Sequence, residues 1–162
     1  MPMDVIREQL ISFLTTAQAR MTYEEAVQDF PLDHINEFPP HGLYSPYMLL
    51  EHIRLTQKDI VDFMLDTNYK EPKWPEEYWP KKEVKADEKM WQESIDGFLE
   101  DRRKLIELIN DKNTDLTTKV KNGTGQTIFR EILLILDHNS WELGEFSFMR
   151  QVMSTWPKGR IE

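Results

Sequence analysis

Apolar residues fall into four long stretches of helical period, separated by polar or proline-rich connections. Val5, Ile6, Leu10, Phe13, Leu14 and Ala17 recur at three- and four-residue spacing, which predicts a helix over about residues 4–19. Thr22 and Glu25 form a T-x-x-E capping box that opens a short helix, and Pro31 ends it. The following segment, FPLDHINEFPPHGLY, carries three prolines and a glycine and reads as an irregular connection. Ser45-Pro46 is a helix start: serine suits the cap, and proline the first helical position, where no backbone donor is needed. Leu49, Leu50, Ile53, Ile60, Phe63 and Met64 carry that second long helix to about Asp66.

The next connection, NYKEPKWPEEYWPKKE, has three prolines, two tryptophans and two tyrosines. It is too aromatic for a free linker, and the expectation is that it packs across one end of a bundle. Asp87 begins a third helix with Trp91, Ile95, Phe98, Leu99, Leu105, Ile106 and Ile109 on its apolar side. Gly97 lies inside it at a local cost of about 1 kcal/mol. NDKNTDLTTKVKNGTGQ is polar, with two glycines, and reads as a loop or a short extended excursion. Thr127 caps a fourth long helix that runs through Ile128, Ile132, Ile135, Leu143, Phe146 and Met149 to about Ser154, before Trp156-Pro157. There is no internal repeat. Four long amphipathic helices with long connections predict an all-α four-helix bundle, a single domain over residues 1–162.

Composition narrows the chemistry. The chain has no cysteine, which excludes disulfide scaffolds, thiolate metal sites and cysteine nucleophiles. Formal net charge is −9, from 29 acidic and 20 basic residues, and the basic residues are scattered. Nucleic-acid binding needs a basic surface and is not expected. The N-terminal MPMDVIREQL has no basic region followed by an apolar run, and no stretch approaches 18 apolar residues. No signal peptide and no membrane span are expected, so the protein is read as soluble and cytoplasmic.

Candidate chemistry rests on histidine. Of the four histidines, His34 and His41 fall in the proline-rich connection and read as loop residues. His52 lies on the apolar stripe of the second long helix with Leu49, Thr56, Ile60 and Phe63. In the fourth, Ile135, His138, Glu142, Glu145 and Met149 share one stripe, and four-residue spacing puts His138 and Glu142 about 40° apart around the axis. Burying a carboxylate among apolar side chains is costly unless it is paired or bound to a cation. Convergence of His52, His138 and Glu142 on one divalent ion explains both intrusions. Two imidazoles and a carboxylate suit zinc, iron(II), nickel or manganese and leave positions open for water or substrate. The competing reading is a His–Glu hydrogen bond or surface pair without metal, and spacing alone leaves the choice open. Asp59 lies seven residues after His52 on the same face and is a candidate supporting group. Glu145 is a candidate to approach the ion or to accept a proton; both also read as plain helix charges.

The segments SPYMLLEHIRLTQKDIVDFM, WPEEYWP, Trp91 and TGQTIFREILLILDHNSWELGEFSFMRQVM, taken together and in this order over residues 45–156, resemble the DinB/YfiT-like superfamily. The resemblance implies a four-helix bundle, often a homodimer, with a three-histidine metal site. One ligand comes from the second helix and two from an H-x-x-x-H on the last. Carried over, these positions fall on His52, His138 and Glu142, so the chain departs from the pattern at the third. A His2Glu site would be one charge more negative, with a more tightly held cation and a less acidic bound water; alternatively, the substitution marks a lost site.

Members with this fold include thiol S-transferases and an isomerase. The implied function is a divalent-metal-dependent enzyme, a thiol S-transferase or a hydrolase. A low-molecular-weight thiol or other small molecule would be its substrate, with the sulfur supplied by the cosubstrate. The other reading is a non-catalytic dimeric interaction or stress protein that has lost the metal. The sequence assigns no residue as catalytic.

Overall fold

A computed structural model describes residues 2–159; Met1 and residues 160–162, the ends of the expected 1–162 span, lie outside the described residues. The order is α1 (Pro2–Thr15), α2 (Tyr23–Val27), a single 3-10 turn (Leu32–His34), α3 (Pro46–Leu65), α4 (Glu88–Asn110) and α5 (Ile128–Val152). The four long helices α1, α3, α4 and α5 form an all-α bundle, in which α3 packs on α4 and α5, and α1 packs on α4 and α5 from the other side. Among the described residues there is no strand, only an isolated bridge between Lys119 and Thr127. None of the described helices is long and apolar enough to cross a membrane.

The helix starts follow from local chemistry. Thr22 accepts from the Glu25 amide while the Glu25 carboxylate accepts from the Thr22 amide at 2.8 Å, closing the capping box. Ser45, Asp87 and Thr127 each accept from the amide three residues on, which opens α3, α4 and α5. The first helix is shorter than the spacing predicts and ends at Thr15. Thr15 and Thr16 turn their hydroxyls back on the Ile11 and Ser12 carbonyls, and the Arg20 guanidinium takes the Phe13 carbonyl at 2.7 Å. With those acceptors engaged, the chain turns away before Ala17.

Two apolar clusters fill the bundle. One joins Tyr23, Phe30, Leu49, Leu50, Ile53, Trp91, Phe98, Leu143 and Phe146, and so packs α2 against one end of α3, α4 and α5. The other joins Leu10, Leu14, Ile60, Leu105, Ile109, Leu116, Ile132 and Ile135 and holds α1. Between the helices, Asn139 donates to Gln57 at 2.9 Å and Gln57 donates to the Phe98 carbonyl at 2.8 Å. This buried chain ties α5 to α3 and α3 to α4, and it fixes their register beside His138. Gly97 has a packing reason: a Cβ there would stand 2.7 Å from Cδ of Arg54, whose side chain crosses α4 at that point.

The aromatic connection does not cap a bundle end. It runs along the flank of α3, touching it at Asp59 and again at His52, two turns apart. The polar excursion after α4 folds back to bury Leu116 and Val120, and its backbone pairs with the start of α5 through Phe129 N–H to the Leu116 carbonyl at 2.8 Å.

Candidate metal centre

His52 comes from the middle of α3, and His138 and Glu142 from successive turns of α5. Because α3 packs on α5, the three side chains meet, and one ligand atom from each lies within 4.8 Å of the others. Glu142 Oε1 stands 3.8 Å from His52 Nε2 and 3.6 Å from His138 Nε2. The two imidazole centroids are 5.4 Å apart, with planes inclined at 63°. His52 and Glu142 are buried, and His138 is half-buried, so the group opens to solvent on the His138 side.

Each ring nitrogen has a distinct role. His52 Nδ1 donates to the Tyr78 carbonyl at 2.8 Å. That bond consumes the proton of a neutral imidazole and leaves the Nε2 lone pair facing Glu142. The Trp79 ring stacks on His52 at 3.8 Å and 7°, fixing its plane. His138 Nδ1 is buried and has no hydrogen-bond partner among the described residues. Burial lowers the pKa of His52, partly offset by the Tyr78 carbonyl, and lowers that of His138 to about 4, helped by the neighbouring His52. Burial likewise raises the pKa of Glu142.

The residues fit a divalent ion. Separations of 3.6 and 3.8 Å are too long for hydrogen bonds, yet nothing else among the described residues occupies these atoms. A tetrahedral ion with bonds of about 2.0–2.2 Å separates its ligand atoms by about 3.3–3.6 Å, close to the 3.6 and 3.8 Å between Glu142 and the two imidazole nitrogens. Two neutral imidazoles and one carboxylate also supply the donor chemistry that zinc, nickel, iron(II) or manganese takes. His52, His138 and Glu142 would hold the ion.

The two supporting candidates lie elsewhere. Asp59 does not touch His52; its two oxygens accept the hydroxyls of Tyr69 and Tyr78, each at 2.7 Å. Burial and these bonds push both phenols up, so they stay protonated donors. Glu145 accepts the Tyr44 hydroxyl, and burial raises its pKa. His34 pairs with Glu37 on the surface, 2.6 Å away, and His41 lines an apolar cleft with Tyr44 and Phe148; neither joins the group.

Sequence reasoning did not assign the aromatic wall. Trp79 stacks on His52, Trp74 stands edge-on to it at 6.4 Å, and Tyr44 packs on Trp79 at 5.0 Å. The aromatic richness of the connection was the available signal, but it names no contact.

No curated protein matches the chain, and no solved structure matches it. The sequence profile of the DinB superfamily matches residues 15–141, a span that contains His52 and His138 and stops one residue before Glu142. A match over most of the chain, on a helical bundle that brings both histidines together, assigns the family: the chain belongs to the DinB superfamily.

Proposed function

We propose that this chain is a divalent-metal-dependent enzyme acting on a small molecule, with thiol S-transfer or hydrolysis as the reaction class. The observation that carries it is the convergence of two imidazole nitrogens and a carboxylate oxygen that make no hydrogen bonds with one another. A bound divalent ion lowers the pKa of a thiol or water at an open position. The chain has no cysteine, so a thiol would arrive as a low-molecular-weight cosubstrate.

The residues around the group suit that task. His52 is held rigid by Tyr78 and Trp79, as a ligand should be. Trp74 is exposed beside it and offers an apolar face to an entering substrate. The protein works as a homodimer in this reading: α5 leaves Leu133, Trp141, Phe148 and Val152 exposed, an apolar strip that a second copy would cover. A Trp141→Lys, Phe148→Lys variant then sediments as a monomer; a wild-type monomer removes the dimer from the proposal.

The test of the function is metal content by mass spectrometry on protein purified without chelators. About one metal per chain, lost in Glu142→Ala and in His52→Ala, supports the site and opens a screen with thiols and hydrolysable esters. Protein that takes up none of zinc, nickel, iron(II) or manganese is not a metalloenzyme, and the proposal fails.

A further inference from the structure

We infer that Asp59 is a positioning residue for His52, acting through Tyr78 to hold the ring that presents Nε2 to Glu142. Asp59 lies two turns along α3 from His52, about 10 Å along the axis, so it cannot reach the ring itself. The connection between α3 and α4 spans that distance. Tyr78 donates its hydroxyl to Asp59 Oδ2 at 2.7 Å and offers its own carbonyl to His52 Nδ1 at 2.8 Å. The same residue is therefore pinned at its side chain and used at its backbone.

Tyr69, at the start of the connection, donates to the other oxygen, Oδ1, at 2.7 Å. One carboxylate thus clamps the connection at two points nine residues apart. The next residue after Tyr78 is Trp79, which lies flat on His52. Backbone acceptor and stacking plane reach the ligand together, from one strap fastened at Asp59. A carbonyl acceptor selects the imidazole tautomer with its proton on Nδ1, which frees Nε2 as a lone pair. A purely structural strap would need the Asp59 bonds but not the Tyr78 carbonyl on a ligand nitrogen. His138, by contrast, has no such partner on Nδ1. The site is pre-set from the α3 side.

The metal arm of the test rests on the proposed metal site, and the tautomer arm does not. Three variants are compared with wild type: Tyr78→Phe, which deletes one oxygen and keeps the carbonyl, Asp59→Asn, and the two combined. Long-range 1H–15N NMR on metal-free protein should show His52 almost wholly as the Nδ1–H tautomer in wild type and a mixture in each variant. Zinc affinity by chelator competition should fall about 10- to 100-fold in Tyr78→Phe and Asp59→Asn. The combined variant should be no weaker than Asp59→Asn, because both changes break one chain. The cobalt(II) absorption bands should shift in the same variants.

A wild-type tautomer ratio in folded Tyr78→Phe overturns the inference, as does unchanged zinc affinity there. If wild type binds no zinc, the metal reading fails and the tautomer arm still decides the role of Asp59. If Asp59→Asn does not fold, Tyr78→Phe decides alone.

Discussion

Glu142→Gln should change the sign of its effect on stability when metal is added. In the metal-free protein the Glu142 carboxylate is buried, 3.8 Å from the His52 Nε2 lone pair, itself an acceptor, and 3.6 Å from His138 Nε2. It has no cationic partner among the described residues, and burial raises its pKa. Glutamine has the same shape, no charge, and an amide that can donate to an Nε2 lone pair. Gaining one hydrogen bond in place of an uncompensated carboxylate is worth about 1 kcal/mol. For a chain of this length that raises Tm by about 2–4 °C. With metal the order reverses. At a free concentration one hundred times its Kd, zinc stabilises wild type by about 2.7 kcal/mol, or about 5–11 °C. A hundredfold loss of affinity in Glu142→Gln leaves about 0.4 kcal/mol, or about 1–2 °C.

Scanning calorimetry of both proteins, stripped of metal and then titrated with zinc, reads all four melting temperatures. Equal metal-induced shifts in the two proteins would show that Glu142 is not a ligand. A metal-free variant melting well below wild type would show that the carboxylate does structural work, and the reasoning would be refuted at its first step.

Two further outcomes follow from named contacts. Gly144→Ala should stabilise the protein by about 0.5–1 kcal/mol in a thermal melt, since it lies inside α5 with nothing within 4 Å of the new Cβ, whereas Gly97→Ala should give no gain and a net loss, because the new Cβ meets Arg54, itself held by Glu51 at 2.8 and 2.5 Å. Metal-free protein should lose stability as pH falls from 7 to 5. His52 and His138 have folded pKa values below the usual 6.5, His138 at about 4, so their contribution is whole above 6.5 and is lost toward 4, about 1–2 kcal/mol by pH 5; the raised pKa of Glu142 acts with the opposite sign. Melts of His138→Gln across that range should be flatter than wild type, and an equally steep profile would remove His138 as the cause.

What could be read from the sequence is what local chemistry decides. Thr22, Ser45, Asp87 and Thr127 each bond an amide three residues away, so the cap and its partner sit within one short motif. His52 and the His138/Glu142 pair were legible as polar intrusions on apolar stripes, and their convergence needed only that α3 and α5 be neighbours. Other features depend on partners far along the chain. Arg150 reads as an ordinary cation near a helix end, yet it is fully buried. Its guanidinium bonds the carbonyls of Ala26, Gln28 and Thr155 and lies 3.9 Å from the Trp156 ring. The acceptor of His52 Nδ1 is a backbone carbonyl, a group every residue carries, so no residue type at position 78 announces it.

The places where local rules are broken point back to the site. α5 carries Ile132, Ile135, Leu143 and Phe146 at full burial, and an apolar residue at 138 or 142 would continue that packing. Instead the helix buries a carboxylate and an imidazole, both pushed toward neutrality, beside a second such imidazole. Each departure costs stability in the protein alone. A divalent ion reverses all three at once, because it binds the unprotonated forms of both rings and the ionised form of the acid. The same two neutral imidazoles and one carboxylate that destabilise the bundle by themselves are the set that stabilises it around a cation, and this asymmetry is what the Glu142→Gln melts would expose.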